Sequence, residues 1–398
     1  MASRWPKYTA TLYHNGCMKI SIPIDIWDPE RGGAERYLRR LATALCARGH
    51  EVTILCLEAR NPDKDTEPLT VEVLPCPRFP RWLRELVFAL KTPRAHRQSG
   101  RDLLFAVRHA LEADVYHPHG GSLRAGRFAA SRSRPFLERT AGAFLAALRP
   151  SLWVLLWLDR RVFLRSSQLT TISVSRKVEE DLRRTYPSVR FHFERLYNAV
   201  DTTHFHDRDR PDCAGQLRER FGIPPEKRIA VFIAHRFQPK GLLHAVEALG
   251  RAENWHLIVA GRDQPGRFAR KAARCGAFGR IHFAGPITDT RRLLAGADCL
   301  LLPTYYDTCS LAVLEAMACG TPAITTRQNG VVELLEPERS GFVLDSPTDI
   351  DGAVRGLHAL EKRWRSFHDA LVDGVSHLGW KHHVDRMEKI LFRALRQT

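Results

Sequence analysis

At 398 residues, the chain is longer than one hydrophobic core usually supports and reads as two domains, each large enough to bury its own interior. Its composition is that of an ordinary soluble globular protein, but 61 Lys and Arg oppose 44 Asp and Glu, a formal charge of +17, which argues for a polyanionic partner such as nucleic acid, anionic lipid or a phosphorylated glycan. The nine cysteines form no C-x-x-C pair and no zinc-spaced cluster with histidine, so they read as buried thiols in a reducing cytoplasm rather than a metal site.

Residues 1–17 lack the apolar run of a signal peptide and read as an extension, because Met18-Lys-Ile-Ser-Ile opens the first strand pattern. From there strand and helix patterns alternate, which implies parallel sheets flanked by helices. In the first half we expect a strand over 19–24, a helix over 32–48, a strand over 50–57 after the helix-ending Gly49, a strand end at 114–119, and strands at 169–173 and 195–198. The polar stretch 202–225 reads as a linker. Beyond it the pattern predicts strand 228–234, helix 242–250, strand 256–260, helix 267–275, strand 281–283, helix 288–297, strand 299–302, a helix after Ser310 and strand 322–325. The last stretch, 380–396, reads as an amphipathic helix. The resulting division is a first α/β domain over 1–203, a linker over 204–226, a second doubly wound domain over 227–379 and a terminal helix over 380–398.

The densest chemical signal is LLPTYYDTCSLAVLEAMACG. Asp307 stands in the loop after a buried strand, and Glu315 is the only charge in an apolar helix for which Ser310 is a suitable cap. A carboxylate among apolar side chains loses several kcal/mol of hydration unless something donates to it, and vicinal ribose hydroxyls are suitable donors. The free N–H groups of Leu311 and Ala312 at the helix start suit an anion such as a diphosphate. The plainer readings make Asp307 a helix cap and Glu315 a salt-bridged edge residue.

This D-x7-E arrangement resembles the E-x7-E signature of retaining family 4 glycosyltransferases. The resemblance implies the GT-B fold, two Rossmann-like doubly wound domains facing across a cleft, with the terminal helix crossing back onto the first. It also implies roles: Glu315 for the nucleotide ribose and Asp307, one methylene shorter than the family's Glu, for the transferred sugar. Arg236 and Lys240, in Ala234-His-Arg-Phe-Gln-Pro-Lys-Gly241, carry the family's diphosphate contacts, bidentate for the arginine and a point charge for the lysine. Gly32 and Gly33 match its loop facing the donor phosphates. His119, in Val115-Tyr-His-Pro-His-Gly-Gly121, matches its histidine beside the reaction centre, whereas His117 reads as structural.

The implied reaction is hexosyl transfer with retention from a nucleotide diphosphate sugar, UDP-sugar before GDP-sugar, with no metal cofactor. The Asp-x-Asp pairs at Asp63/Asp65, Asp207/Asp209 and Asp349/Asp351 lie in polar segments and read as solvated carboxylates. Finer motifs, Gly261 to Phe268 and Tyr-Tyr-Asp, resemble the bacterial lipopolysaccharide core glucosyltransferases, so the implied acceptor is a lipopolysaccharide-core or lipid-linked glycan. Residues 134–165, rich in Phe, Leu and Trp and closing on Arg160, Arg161 and Arg165, are too interrupted by Arg149 and Pro150 to span a bilayer. They read either as a peripheral contact with the anionic inner face of the plasma membrane or as buried helix. Two other readings stay open: a hexosyltransferase for exopolysaccharide or a soluble glycoside, and a basic binding protein on a degenerate scaffold. No nucleic-acid-binding motif supports the nucleic-acid version of the latter.

Overall fold

The computed structural model describes residues 16–28, 33–60, 68–77, 79–165, 169–374 and 376–397. The first half folds around a seven-stranded sheet in the order β3-β2-β1-β4-β5-β6-β7. Its strands are β1 (Lys19–Trp27), β2 (Glu51–Ala59), β3 (Thr70–Val73), β4 (Leu103–Ala106), β5 (Val115–Tyr116), β6 (Thr170–Ser173) and β7 (His192–Arg195). The second half holds a six-stranded sheet, β10-β9-β8-β11-β12-β13, from β8 (Arg228–Ile233), β9 (Trp255–Ala260), β10 (Ile281–Gly285), β11 (Cys299–Leu302), β12 (Ala323–Thr326) and β13 (Gly341–Leu344). The paired strands run parallel throughout. Burial on both faces explains why β4, β6, β9, β11 and β12 are buried along their whole length.

Each sheet reverses its winding once, between β1 and β4 and between β8 and β11. A crevice opens at the carboxyl ends of such a strand pair, because the helices that follow leave in opposite directions. The loops carrying Arg236, Lys240 and Asp307 leave the ends of β8 and β11. The helix α1 (Gly33–Cys46) follows β1 and faces them from the first domain.

Beyond the strand expected over 195–198, which the structure has at His192–Arg195, two parts differ from expectation. Residues 210–221, read as linker, form α7 (Arg210–Phe221), with Pro211 in its first turn, Gly222 at φ 62° ending it, and Cys213 and Leu217 buried one turn apart. Its apolar stripe is only two side chains wide, too narrow to register as helical periodicity. The aspartates there are not simply solvated either. Asp209 accepts from Arg291 Nη1 at 2.7 and 2.8 Å and Asp207 pairs with His368 at 3.1 Å, both in the second domain. Asp349 accepts from the Gly352 N–H at 2.8 Å and Asp351 pairs with Arg251 at 2.7 Å, while Asp63 and Asp65 lie outside the described residues. The second difference is the apolar segment, which forms α4 (Phe136–Ala147) and α5 (Pro150–Arg165), bent by 77°. Among the described residues no single helix is long and apolar enough to cross a membrane. Helix α5 buries Leu158, Val162 and Phe163 in the core, while Phe136, Leu137, Phe144, Leu145, Leu148, Trp153 and Trp157 are exposed. Of the cysteines, five are buried as expected, while Cys46, Cys76 and Cys275 are half-buried and Cys17 is exposed.

The terminal helix α13 (Trp380–Leu395) places Val384, Met387, Ile390, Leu391 and Ala394 in the first domain's core. It is fastened there by Arg48 to Glu388 at 2.8 Å and by a hydrogen bond between Tyr37 Oη and His383 Nε2 at 2.7 Å.

The two domains also touch directly. Ser175 Oγ donates to the Thr308 carbonyl at 2.6 Å, Asn198 Nδ2 to the Cys309 carbonyl at 2.9 Å, and Thr308 Oγ1 to the His119 carbonyl at 3.0 Å. Gly330 packs so closely here that a Cβ would lie 2.0 Å from the Thr308 carbonyl oxygen and 2.2 Å from Ser175 Oγ. Gly330→Ala is therefore expected to lower stability by about 1–3 kcal/mol, because a methyl must push the domains apart. Thermal melting beside wild type checks this; an unchanged midpoint would mean that the contact yields freely.

Candidate active site

The site is built where the β8 and β11 loops meet. Lys240 Nζ donates to Asp307 Oδ2 at 2.5 Å and to the Tyr306 carbonyl at 3.2 Å. Lys240 is followed by Gly241, at φ 82°, where a Cβ would lie 2.0 Å from the Pro303 carbonyl oxygen. A side chain there would close off the turn that aims the lysine inward. Arg236, in the same loop, is exposed.

After Asp307 comes α11 (Leu311–Ala318), whose N-cap position is Ser310. The Ser310 hydroxyl makes no capping bond; instead its own N–H is taken by Asn329 Oδ1 at 3.3 Å. The fully buried Asn329 also accepts from the Val331 N–H at 3.3 Å and donates to Thr325 Oγ1 at 3.1 Å. Sequence reasoning missed this residue, and Thr290 with it, because both act across long sequence separations. The N–H groups of Leu311 and Ala312 have no partner among the described residues, so the helix start keeps its capacity for an anion.

Glu315 points from α11 into the space between domains, with Thr290 Oγ1 as its hydrogen-bond donor at 3.5 Å. Burial pushes its carboxyl up to about 7, against the lowering pull of Arg36 on α1 and of Thr290. Gly33 begins α1 and Gly32 lies outside the described residues; the cation that this helix turns toward Glu315 is Arg36, which sequence reasoning had left without a role. Arg36 lies one turn after Gly33, so it could have been found from its place in the first turn of a cleft-facing helix.

From the first domain, His119 reaches the same space. Burial pushes its imidazole down to about 4 despite the nearby Asp307 carboxylate, so it is neutral at pH 7, and its buried Nδ1 has no hydrogen-bond partner among the described residues. His117 is 1 % exposed, pressed toward Phe105 and held well below the ordinary histidine range by burial. That fits a core residue. Behind His119 stand Tyr37, at 5.2 Å between ring centres, and His383, which couple the terminal helix to the cleft. The β5 loop ends in Gly121, at φ 70°, where a Cβ would meet Tyr306 Oη at 2.5 Å.

Two Rossmann-like domains facing across a cleft that holds Lys240, Arg236, the start of α11 and a desolvated carboxylate define the GT-B fold. Residues 31–204 match the family model Glycosyltransferase Family 4 and residues 215–371 match Glycosyl transferases group 1; the chain belongs to these glycosyltransferases and is a hexosyltransferase. Among curated relatives, the lipopolysaccharide glucosyltransferase WaaG of Escherichia coli is 23% identical over 79% of this chain and 82% of its own. A D-inositol 3-phosphate glycosyltransferase of Catenulispora acidiphila is 30% identical over 44% of this chain and 45% of its own. Solved structures share the fold: WaaG, TM-score 0.73 at 18% identity over 93% of this chain and 98% of that one; sucrose-phosphate synthase of Thermosynechococcus elongatus, 0.76 at 19% over 95% and 99%; and Anabaena HepE in complex with UDP-glucose, 0.69 at 17% over 96% and 100%.

The raised Glu315 carboxyl has a signature in stability. An unfolded glutamate ionises near 4.5 and the folded one near 7, so between these values unfolding releases a proton. Glu315 thus makes the ligand-free protein less stable as pH rises through that window, with no further change above it. His119, held low, acts with the opposite sign as pH falls below 6.5, so only the difference between wild type and Glu315→Gln isolates the carboxyl. We expect the melting temperature of wild type to fall relative to that of the variant between pH 4.5 and 7; parallel curves would show a normally solvated Glu315.

Proposed function

We propose that this glycosyltransferase is a retaining enzyme that moves a hexose from a UDP-sugar, without a metal, to a lipopolysaccharide-core or lipid-linked glycan at the cytoplasmic face of the membrane. The observation that carries the donor reading is Glu315: a largely desolvated carboxylate with one weak donor among the described residues, a few residues beyond helix N–H groups that no described residue partners and beyond Asp307, which pairs with Lys240. Ribose hydroxyls would supply the missing hydrogen bonds, and the diphosphate would take the N–H groups, Lys240 and Arg236. A neighbour's complex with UDP-glucose supports uridine as the base.

In this mechanism the diphosphate leaves from the face on which the acceptor arrives and helps remove the acceptor's proton. Charge growing on the leaving group meets Lys240, Arg236 and the α11 start, an electrostatic contribution worth several kcal/mol when such groups are preorganised. Neutral His119 offers a hydrogen bond beside the sugar without adding charge. The similarity to WaaG over 82% of its length supports the acceptor class.

Donor binding is tested by calorimetry in EDTA with UDP-glucose, GDP-mannose and ADP-glucose. The UDP-sugar is expected to bind best, and Glu315→Gln to weaken it by about 1.5–3 kcal/mol, the contribution of a hydrogen bond to a charged acceptor. Equal affinity of variant and wild type would remove Glu315 from the site, and binding seen only after adding magnesium or manganese would overturn the metal-free mechanism.

The membrane reading rests on α4 and α5. Exposed Phe144, Leu145, Leu148, Trp153 and Trp157 lie beside Arg160 and Arg161, the latter 5.3 Å over the Trp157 ring. Aromatic and aliphatic side chains with arginines at their edge suit the boundary of an anionic leaflet. We expect Arg160→Gln with Arg161→Gln to lower cosedimentation with anionic vesicles, each arginine contributing on the order of 1 kcal/mol at low salt, and to leave donor binding intact. Equal cosedimentation of variant and wild type would sink this reading.

A further inference from the structure

The resemblance to E-x7-E enzymes assigns Asp307 to the transferred sugar, yet its geometry serves another group. The Asp307 peptide is fixed at both ends: its N–H donates to the Gln328 carbonyl at 3.0 Å and its carbonyl accepts from the Gly330 N–H at 2.9 Å. From that anchored backbone a side chain one methylene shorter than glutamate reaches Lys240, at 2.5 Å. The lysine is anchored too. The Pro239 carbonyl accepts from the Tyr305 N–H at 3.0 Å, and Gly241 is pressed against Pro303.

An ammonium carries three N–H bonds. Here one goes to Asp307 and one to the Tyr306 carbonyl, which leaves the third to be aimed by the other two. Without the carboxylate, a four-carbon side chain regains its rotamer freedom and must be re-ordered whenever an anion binds. The two side chains are only 27% and 16% exposed, so the pair is partly sheltered from water and its attraction is stronger than that of a surface ion pair.

We propose that Asp307 is a positioning residue that holds the Lys240 ammonium for the donor's diphosphate. This rests on the donor reading above. In the catalytic cycle Asp307 then acts through Lys240: the ammonium stands ready before the donor arrives and stays in place as negative charge builds on the leaving diphosphate.

UDP and UDP-glucose separate the two roles, because UDP has the diphosphate and lacks the sugar. We expect Asp307→Asn to weaken UDP and UDP-glucose by the same factor, about tenfold, which corresponds to about 1.4 kcal/mol. We also expect that factor to vanish in a Lys240→Ala background and to persist in an Arg236→Ala background, since only the first removes the group being positioned. Asp307→Glu, which keeps the charge, should recover part of the loss. A merely structural aspartate predicts the same loss in both backgrounds, and a sugar ligand predicts unchanged UDP affinity with weakened UDP-glucose; either result overturns the proposal. Should Asp307→Asn fail to fold, Asp307→Ser is read in the same way. If wild type binds neither UDP nor GDP, the donor reading itself falls; wild type that binds UDP while Asp307→Asn does so equally well refutes only the positioning role.

Discussion

Residues 307–310 are clamped from both domains, and the rest of the cleft is arranged around that clamp. On one side Ser175, Asn198 and the His119 carbonyl bond to Thr308 and Cys309; on the other, Gln328, Asn329 and Gly330 hold Asp307 and Ser310. A four-residue loop would otherwise sample many conformations, at a cost of roughly 1–2 kcal/mol of entropy per residue to order it on binding. Here the fold has ordered it beforehand. The helix start, the Asp307 carboxylate and the direction of α11 are consequences of those bonds, so their geometry depends on how the two domains meet.

The electrostatics follow the same plan. A chain with a formal charge of +17 attracts anions everywhere, and surface arginines alone select nothing. Selection comes from the cleft, where unlike groups are held in different states. Lys240 is paired and aimed, His119 is kept neutral by burial, and Glu315 is kept near its titration point by burial against the pull of Arg36. A ligand that brings hydroxyl donors to Glu315 and negative charge to Lys240 relieves the desolvation of one and completes the coordination of the other. A nucleoside diphosphate derivative offers both kinds of group, which is the basis of the proposed donor.

Much of this was legible in the sequence because the second domain is built from short-range signals. Strand Cys299–Leu302 and helix Leu311–Ala318 follow from an apolar run, a break at Pro303 and a lone glutamate in an apolar helix. The structure places His119 at the cleft and His117 in the core. What the sequence concealed is of two kinds. Helix α7 buries only Cys213 and Leu217, so its periodicity is drowned by charge although Pro211 and Gly222 mark its ends. Asn329, Asn198 and Thr290 are polar residues without local pattern, and their work is done on partners 19, 111 and 25 positions away. The segment 134–165 falls between: its composition suits either exposed apolar surface or core, and the fold buries one side of α5 while leaving α4 and the other side of α5 exposed.

The most direct test of this account is a crystal structure of the protein with UDP. The account predicts the ribose hydroxyls within hydrogen-bond distance of the Glu315 carboxylate, and the diphosphate between Lys240 and the N–H groups of Leu311 and Ala312, with the Lys240 to Asp307 bond intact. Nucleotide bound elsewhere, or a Glu315 turned away from the ribose, would contradict it.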